Sequence, residues 1–176
     1  MKLFGFAGWS GSGKTTAIEQ AIPHLRRAGL RVSLIKHAHH NFDIDQPGKD
    51  SWRHRRAGCS EVLITSKVRW ALMHELHDEP ELTLPQALRR LSPCDLVLVE
   101  GYKRAAIPRL EIHRPAIGKP LLFRDDPGII GLATDAPDQF ADAPIPVLDL
   151  SNAEAIAAFV VVHCTELLFD KLPPSL

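Results

Sequence analysis

The stretch FAGWSGSGKTT, residues 6–16, places Gly8, Gly13, Lys14 and Thr15 at the spacing G-x-x-x-x-G-K-[ST], directly behind the apolar run Leu3, Phe4, Phe6 and Ala7. No other feature narrows the fold as much. A loop entered from a strand and left through a helix can curl at Gly8, Gly11 and Gly13 so that successive N–H groups face one point, where the helix adds its positive end. That is a seat for phosphate. Lys14 is expected to reach the β and γ oxygens of a triphosphate, and the Thr15 hydroxyl to ligate Mg²⁺. A glycine-rich turn that holds nothing is the other reading, against which stand the apparent strand before the loop and helix after it.

The rest of the chain alternates short β-type runs with helical segments, which predicts an α/β fold: a three-layer, mostly parallel sheet of the P-loop NTPase type, with helices on both faces. At 176 residues one domain spanning 1–176 is expected. Strands are predicted at about 2–7, 31–36 and 95–100, with further ones at RLEIHR and IIGLAT. Helices are predicted at about 14–28, with Pro23 bending its second half, and over SWRHRRA and LTLPQALRRL. EVLITS and VRWALMH read as an inserted β-hairpin. Ser151 and Glu154, in capping-box spacing, predict a last helix running to about Asp170, with an apolar stripe of Ile156, Phe159, Val160 and Leu167.

Lysine plus arginine (21) equals aspartate plus glutamate (21), so no global field favours nucleic acid or an anionic membrane. No apolar run approaches the roughly 20 residues of a membrane span, and the first residues show neither a signal nor a transit peptide. The three cysteines form no C-x-x-C pair and suit reduced thiols in a cytoplasmic protein.

Several further residues carry chemistry. Glu100 ends the buried run DLVLVE beside Gly101, where an acidic group can hold the metal; an ordinary exposed strand end is the alternative. His37, His39 and His40, with Asp43, Asp45 and Asp50 behind them, complete no metal-site spacing. Lys36, His37 and Asp50 are instead expected to line the phosphate and substrate edge, one aspartate assisting Mg²⁺ through water; a solvated loop is the other possibility. Arg53, His54, Arg55 and Arg56 could meet a second phosphorylated ligand or form a solvated basic face. Arg109, Arg114 and Arg124 are equivalent candidates for an anion clamp. Asp135, ending GLATD, could accept from N1–H and the exocyclic amine of guanine, a donor pair that adenine lacks, or could cap a turn.

With these residues in view the chain resembles the molybdopterin-guanine dinucleotide biosynthesis adaptor proteins. The resemblance rests on GWSGSGKTT (8–16), LIKHAHH (34–40), DIDQPGKDS (43–51), RRAG (55–58), RWALM (69–73), LVLVEGYK (96–103) and ATD (133–135), and so covers nearly the whole chain. It implies a Mg²⁺-dependent, GTP-binding homodimer that assists a separate guanylyltransferase in attaching GMP to the molybdenum cofactor, with at most weak GTPase activity. It extends the nucleotide-binding role to Ser10, Ser12 and Thr16 and gives Glu100 the metal-side role; Lys14 and Glu100 are the residues expected to matter for any hydrolysis. An ATP-dependent small-molecule kinase is the alternative, disfavoured because no arginine-rich lid is evident. A nucleic-acid ATPase is disfavoured by the balanced charge.

Overall fold

Alternation of apolar side chains decides both faces of the central sheet. In this computed structural model, which describes residues 1–38, 42–103 and 105–166, the strands β1 (Lys2–Ala7), β2 (Val32–Lys36), β5 (Leu96–Glu100), β6 (Arg109–His113), β7 (Ile129–Thr134) and β8 (Val147–Asp149) pair in the order β2-β5-β1-β6-β7-β8. Every pairing along that path is parallel. Phe4, Phe6, Leu96, Leu98, Leu110 and Ile112 point to one face, where helices α1 (Lys14–Arg27) and α4 (Ala153–His163) cover them with Ile18, Leu25, Ile156 and Val160. Leu3, Val97 and Val99 point to the other face and meet Leu84 and Leu88 of α3 (Leu84–Arg89). This is the expected three-layer arrangement, and the period of two along each strand produces it.

The chain divides into two compact units, residues 1–37 with 84 onward, and residues 38–83. The second contains α2 (Asp50–Arg56) and the antiparallel hairpin of β3 (Glu61–Thr65) and β4 (Trp70–His74), the insertion expected from EVLITS and VRWALMH. Helix α1 runs unbroken through Pro23.

The last helix departs from expectation. Its cap is Asn152, whose Oδ1 accepts from the Ala155 N–H at 3.0 Å, while the Ser151 hydroxyl donates instead to Asp149 Oδ1 at 2.7 Å. Nor does it reach Asp170: Cys164 turns extended, and Thr165–Glu166 form β9 (Thr165–Glu166), antiparallel to β1. The reason lies in the sheet. β6 pairs with β1 only over Gly5–Ala7, leaving the backbone of Lys2 and Leu3 without a partner on that side, and β9 supplies it. Ile156, Phe159 and Val160 are buried as expected; Leu167 and Asp170 lie outside the described residues.

β6 is buried along its whole length although it carries Arg109, Glu111 and His113. Each of the two charged groups is held from elsewhere. Arg109 donates to Asp126 Oδ1 at 2.7 Å and to the Lys103 carbonyl at 2.6 Å. Glu111 accepts from the Leu122 and Phe123 N–H groups at 2.9 Å each. Burial pushes the Glu111 carboxyl up, and those two N–H groups oppose the shift.

Candidate functional site

The glycine loop occupies the carboxyl edge of the parallel sheet, where ligands of such sheets collect. Gly8 (φ 142°), Gly11 (φ 81°) and Gly13 (φ 93°) take positive φ, and at Gly8 a Cβ would also collide with the Ile112 carbonyl. Gly13 caps α1 without any side-chain hydrogen bond, and the first turn holds no acidic residue, so the positive helix end faces outward uncompensated. The Ser12 hydroxyl is buried with no hydrogen-bond partner among the described residues. An anion at the loop would supply what these groups lack.

Lys14 bridges the loop it follows: its Nζ donates to the Gly8 carbonyl at 2.8 Å and the Trp9 carbonyl at 2.9 Å. Burial lowers its pKa, Glu100 opposes this, and the neighbouring positive charges of Lys36 and Lys103 add to the lowering. Thr15 and Thr16 are exposed in the first turn of α1.

Sheet register brings the acidic residue alongside. Glu100 pairs across from Phe6 on one side and Lys36 on the other, is buried, and lies 3.4 Å from Lys36 Nζ. His37 follows directly; its N–H donates to the Glu100 carbonyl at 2.8 Å, and its ring stacks on Tyr102 with centroids 4.5 Å apart. Gly101 permits this approach, because a Cβ there would stand 2.7 Å from His37 Cβ. Lys14, Lys36, His37 and Glu100 therefore gather at one edge of the sheet.

The three candidate arginines separate. Arg109 is an interior clamp, as described above. Arg114 stands beside the loop, its Nε 3.4 Å from the position of a Cβ on Gly13, and its NH1 donates to Asp135 Oδ2 at 2.6 Å. Arg124 is exposed and lines a cavity farther along. The carboxylate considered for guanine is thus held by the arginine nearest the phosphate seat. No signal in the sequence marked that pair, because twenty residues of chain lie between its members.

Asp50 belongs to the second unit, where it opens α2. There the basic helix has a different use for Arg55. Its guanidinium donates to Asp43 at 2.8 and 2.9 Å, to Asp45 Oδ2 at 3.1 Å and to Glu75 Oε1 at 2.6 Å, and Ser51 adds a hydrogen bond to Asp45 at 2.8 Å. Asp43 and Asp45 hold this arginine in place. The Arg55 hydrogen bond lowers the Asp43 pKa, so the stabilisation is present above the ordinary value of 3.8 and is lost as pH falls through the folded value. Arg55→Leu is expected to raise amide exchange at Asp45 and Gln46 by about tenfold or more without touching the amides of β5, as hydrogen-exchange mass spectrometry would read. Among the described residues no group of three His, Cys, Asp or Glu side chains could hold a metal by itself; His39 and His40 lie outside them.

A mostly parallel sheet, with a glycine loop between its β1 and the α1 behind it, defines a P-loop NTPase-type α/β protein. Residues 3–135 match the family model described as Molybdopterin guanine dinucleotide synthesis protein B, MobB. The Escherichia coli (strain K12) molybdopterin-guanine dinucleotide biosynthesis adapter protein is 42% identical over 162 residues, covering 90% of this chain and 91% of that one. Its Haemophilus influenzae counterpart is 42% identical over 159 residues, covering 90% and 86%. Among solved structures, one of molybdopterin-guanine biosynthesis protein B superposes with a TM-score of 0.71 at 28% identity, covering 91% of this chain and 98% of that chain. Bacillus subtilis MobB, at 20% identity and TM-score 0.71, shares the fold. The chain belongs to the MobB family.

Proposed function

We propose that this protein is an adapter in molybdopterin guanine dinucleotide biosynthesis that binds Mg-GTP and assists a separate guanylyltransferase in joining GMP to molybdopterin. The observation that carries the nucleotide part is the uncapped α1 terminus with Lys14 folded across the loop carbonyls. The adapter part rests on the family match and on the names of the two 42% identical relatives. In this reading the loop amides from Gly8 to Thr16, with Ser10 and Ser12, cradle the phosphates, and Lys14 exchanges its two carbonyls for phosphate oxygens. Thr15 and Glu100 would hold Mg²⁺, which neutralises phosphate charge when bound; a site of this kind keeps several waters and needs few protein ligands. Lys36 releases Glu100 as that happens. Arg114 turns to the phosphates and frees Asp135 for the guanine edge.

Hydrolysis is slow in this account. Glu100, once released by Lys36, is taken up by Mg²⁺ and does not position an attacking water. The protein acts in the cytoplasm; the described cysteines are all free and no helix among the described residues is long and apolar enough to cross a membrane. It works as a homodimer, which the exposed Leu63, Val68, Trp70 and Leu72 of the hairpin support, since such apolar surface seeks a cover. Sedimentation at working concentration is expected to give twice the chain mass.

The test is reconstitution. Adding the protein with Mg-GTP to a molybdopterin guanylyltransferase and molybdopterin is expected to raise the rate or yield of dinucleotide cofactor. No stimulation, or multiple-turnover phosphoryl transfer to a metabolite by this chain alone, would contradict the adapter reading.

A further inference from the structure

Trp9 fills the first unspecified position of the glycine loop, between Gly8 and Ser10, and belongs to neither apolar core. Its main chain and its side chain serve different neighbours. The carbonyl accepts from Lys14 Nζ at 2.9 Å and from the Ser12 N–H at 3.2 Å, two donors for which a phosphate would compete. The indole N–H instead donates to the Pro120 carbonyl at 2.8 Å, and the ring carries the Lys119 ammonium 5.8 Å from its centroid. Among the described residues this is the one side-chain tie on residues 8–11 that an arriving anion does not consume.

Pro120 is a firm point to hold. Just beyond it, the N–H groups of Leu122 and Phe123 donate to the buried Glu111 carboxylate at 2.9 Å each. Glu111 in turn pairs in sheet register with Ala7, which ends β1 immediately before Gly8 and Trp9. The path through Ala7, Glu111, Leu122, Pro120 and Trp9 therefore closes on itself across the central sheet. Closure matters because the glycines of the loop are costly to order: Gly8 and Gly11 take positive φ, and glycine loses more backbone freedom than any other residue. A loop already held at Trp9 meets phosphate with part of that ordering done.

We infer that Trp9 is a positioning residue for the phosphate seat, acting through its indole N–H on Pro120, and that anion binding at the loop in turn steadies residues 119–123. The inference rests on the proposed phosphate site. It adds what neither the glycine spacing nor the family match assigns, a side chain that sets affinity without touching the ligand. One hydrogen bond of this kind contributes about a factor of five in affinity for the phosphates. Because coupling is reciprocal, amide exchange in 119–123 slows by a comparable factor when the anion binds. Neither effect depends on the base.

Calorimetric titration of the full chain with GTP and with inorganic triphosphate, each with Mg²⁺, in wild type and in Trp9→Phe, tests it beside hydrogen-exchange mass spectrometry of residues 119–123. Phenylalanine keeps an aromatic ring and removes only the donor, so the melting temperature is expected to stay near that of wild type. Affinity for both probes should fall by the same factor, about fivefold, and the anion-induced slowing in 119–123 should disappear at saturation. A purely structural role would loosen 119–123 yet leave the anion-induced slowing intact, and that result overturns the inference. A loss confined to GTP overturns it as well. Equal GTP and triphosphate affinity in the two proteins overturns it while leaving the proposed function standing. Triphosphate binding that depends on Trp9, without preference for GTP over ATP, supports the inference and contradicts the guanine reading. Absence of binding of both probes by wild type overturns it together with the proposed nucleotide site.

Discussion

Lys14→Ala is expected to lower the affinity for Mg-GTP about a hundredfold or more while the protein stays folded. The ammonium is the only side-chain cation that the loop itself supplies, and replacing it removes charge-assisted hydrogen bonds worth about 3 kcal/mol together, which is roughly two factors of ten in affinity. Stability should change little. The two carbonyls that Lys14 now satisfies lie at a partly open edge where water can replace the donor. The lysine is not comfortable there either, since burial lowers its pKa. The unfolded chain therefore binds more protons than the folded one between the folded value and 10.5, and stability rises with pH across that window. Lys14→Ala should abolish that rise. Titration calorimetry and thermal melting between neutral and alkaline pH would show both effects; unchanged affinity would remove the phosphate-seat argument.

The second large effect belongs to Gly8. Its φ of 142° is one that side chains rarely adopt, and a Cβ would collide with the Ile112 carbonyl and stand 2.7 Å from Ser12 Oγ. Ile112 lies in a central strand and cannot retreat. Gly8→Ala should therefore cost about 3 kcal/mol, a fall of about 6–12 °C in melting temperature for a chain of this size, and should disable the loop. Gly11→Ala is the control. Gly11 also has positive φ, but nothing stands within 4 Å of its Cβ position, so only the backbone term of about 1–2 kcal/mol remains. Equal melting temperatures for the two variants would contradict the collision at Gly8.

What the sequence disclosed, and what it withheld, follows from how local each cause is. The loop, β1 and α1 were legible because glycine spacing and apolar periodicity act within a dozen residues. DLVLVE was legible as a buried strand because both faces are covered and every residue from Leu96 to Val99 is apolar. The end of α4 was not, since β9 exists to complete the pairing of Lys2 and Leu3, a need arising more than 160 residues away. The same holds for the arginines. Arg109, Arg114 and Arg124 look alike in sequence, and only the fold sends one to Asp126, one to Asp135 beside Gly13, and one to a cavity. Asp43 and Asp45 read equally well as metal-side residues until Arg55 is placed among them. Glu111 gave no signal, because its partners are backbone groups.

The central claim is that the edge formed by Lys14, Lys36, Glu100 and Asp135 holds Mg-GTP. Calorimetric titration of the purified protein with GTP and, separately, with ATP, each with Mg²⁺, tests it most directly. The account predicts saturable GTP binding at about one nucleotide per chain and a clear preference over ATP, because Asp135 can accept from two donors on guanine and from no such pair on adenine. A preference for ATP, or no binding of either, would contradict it.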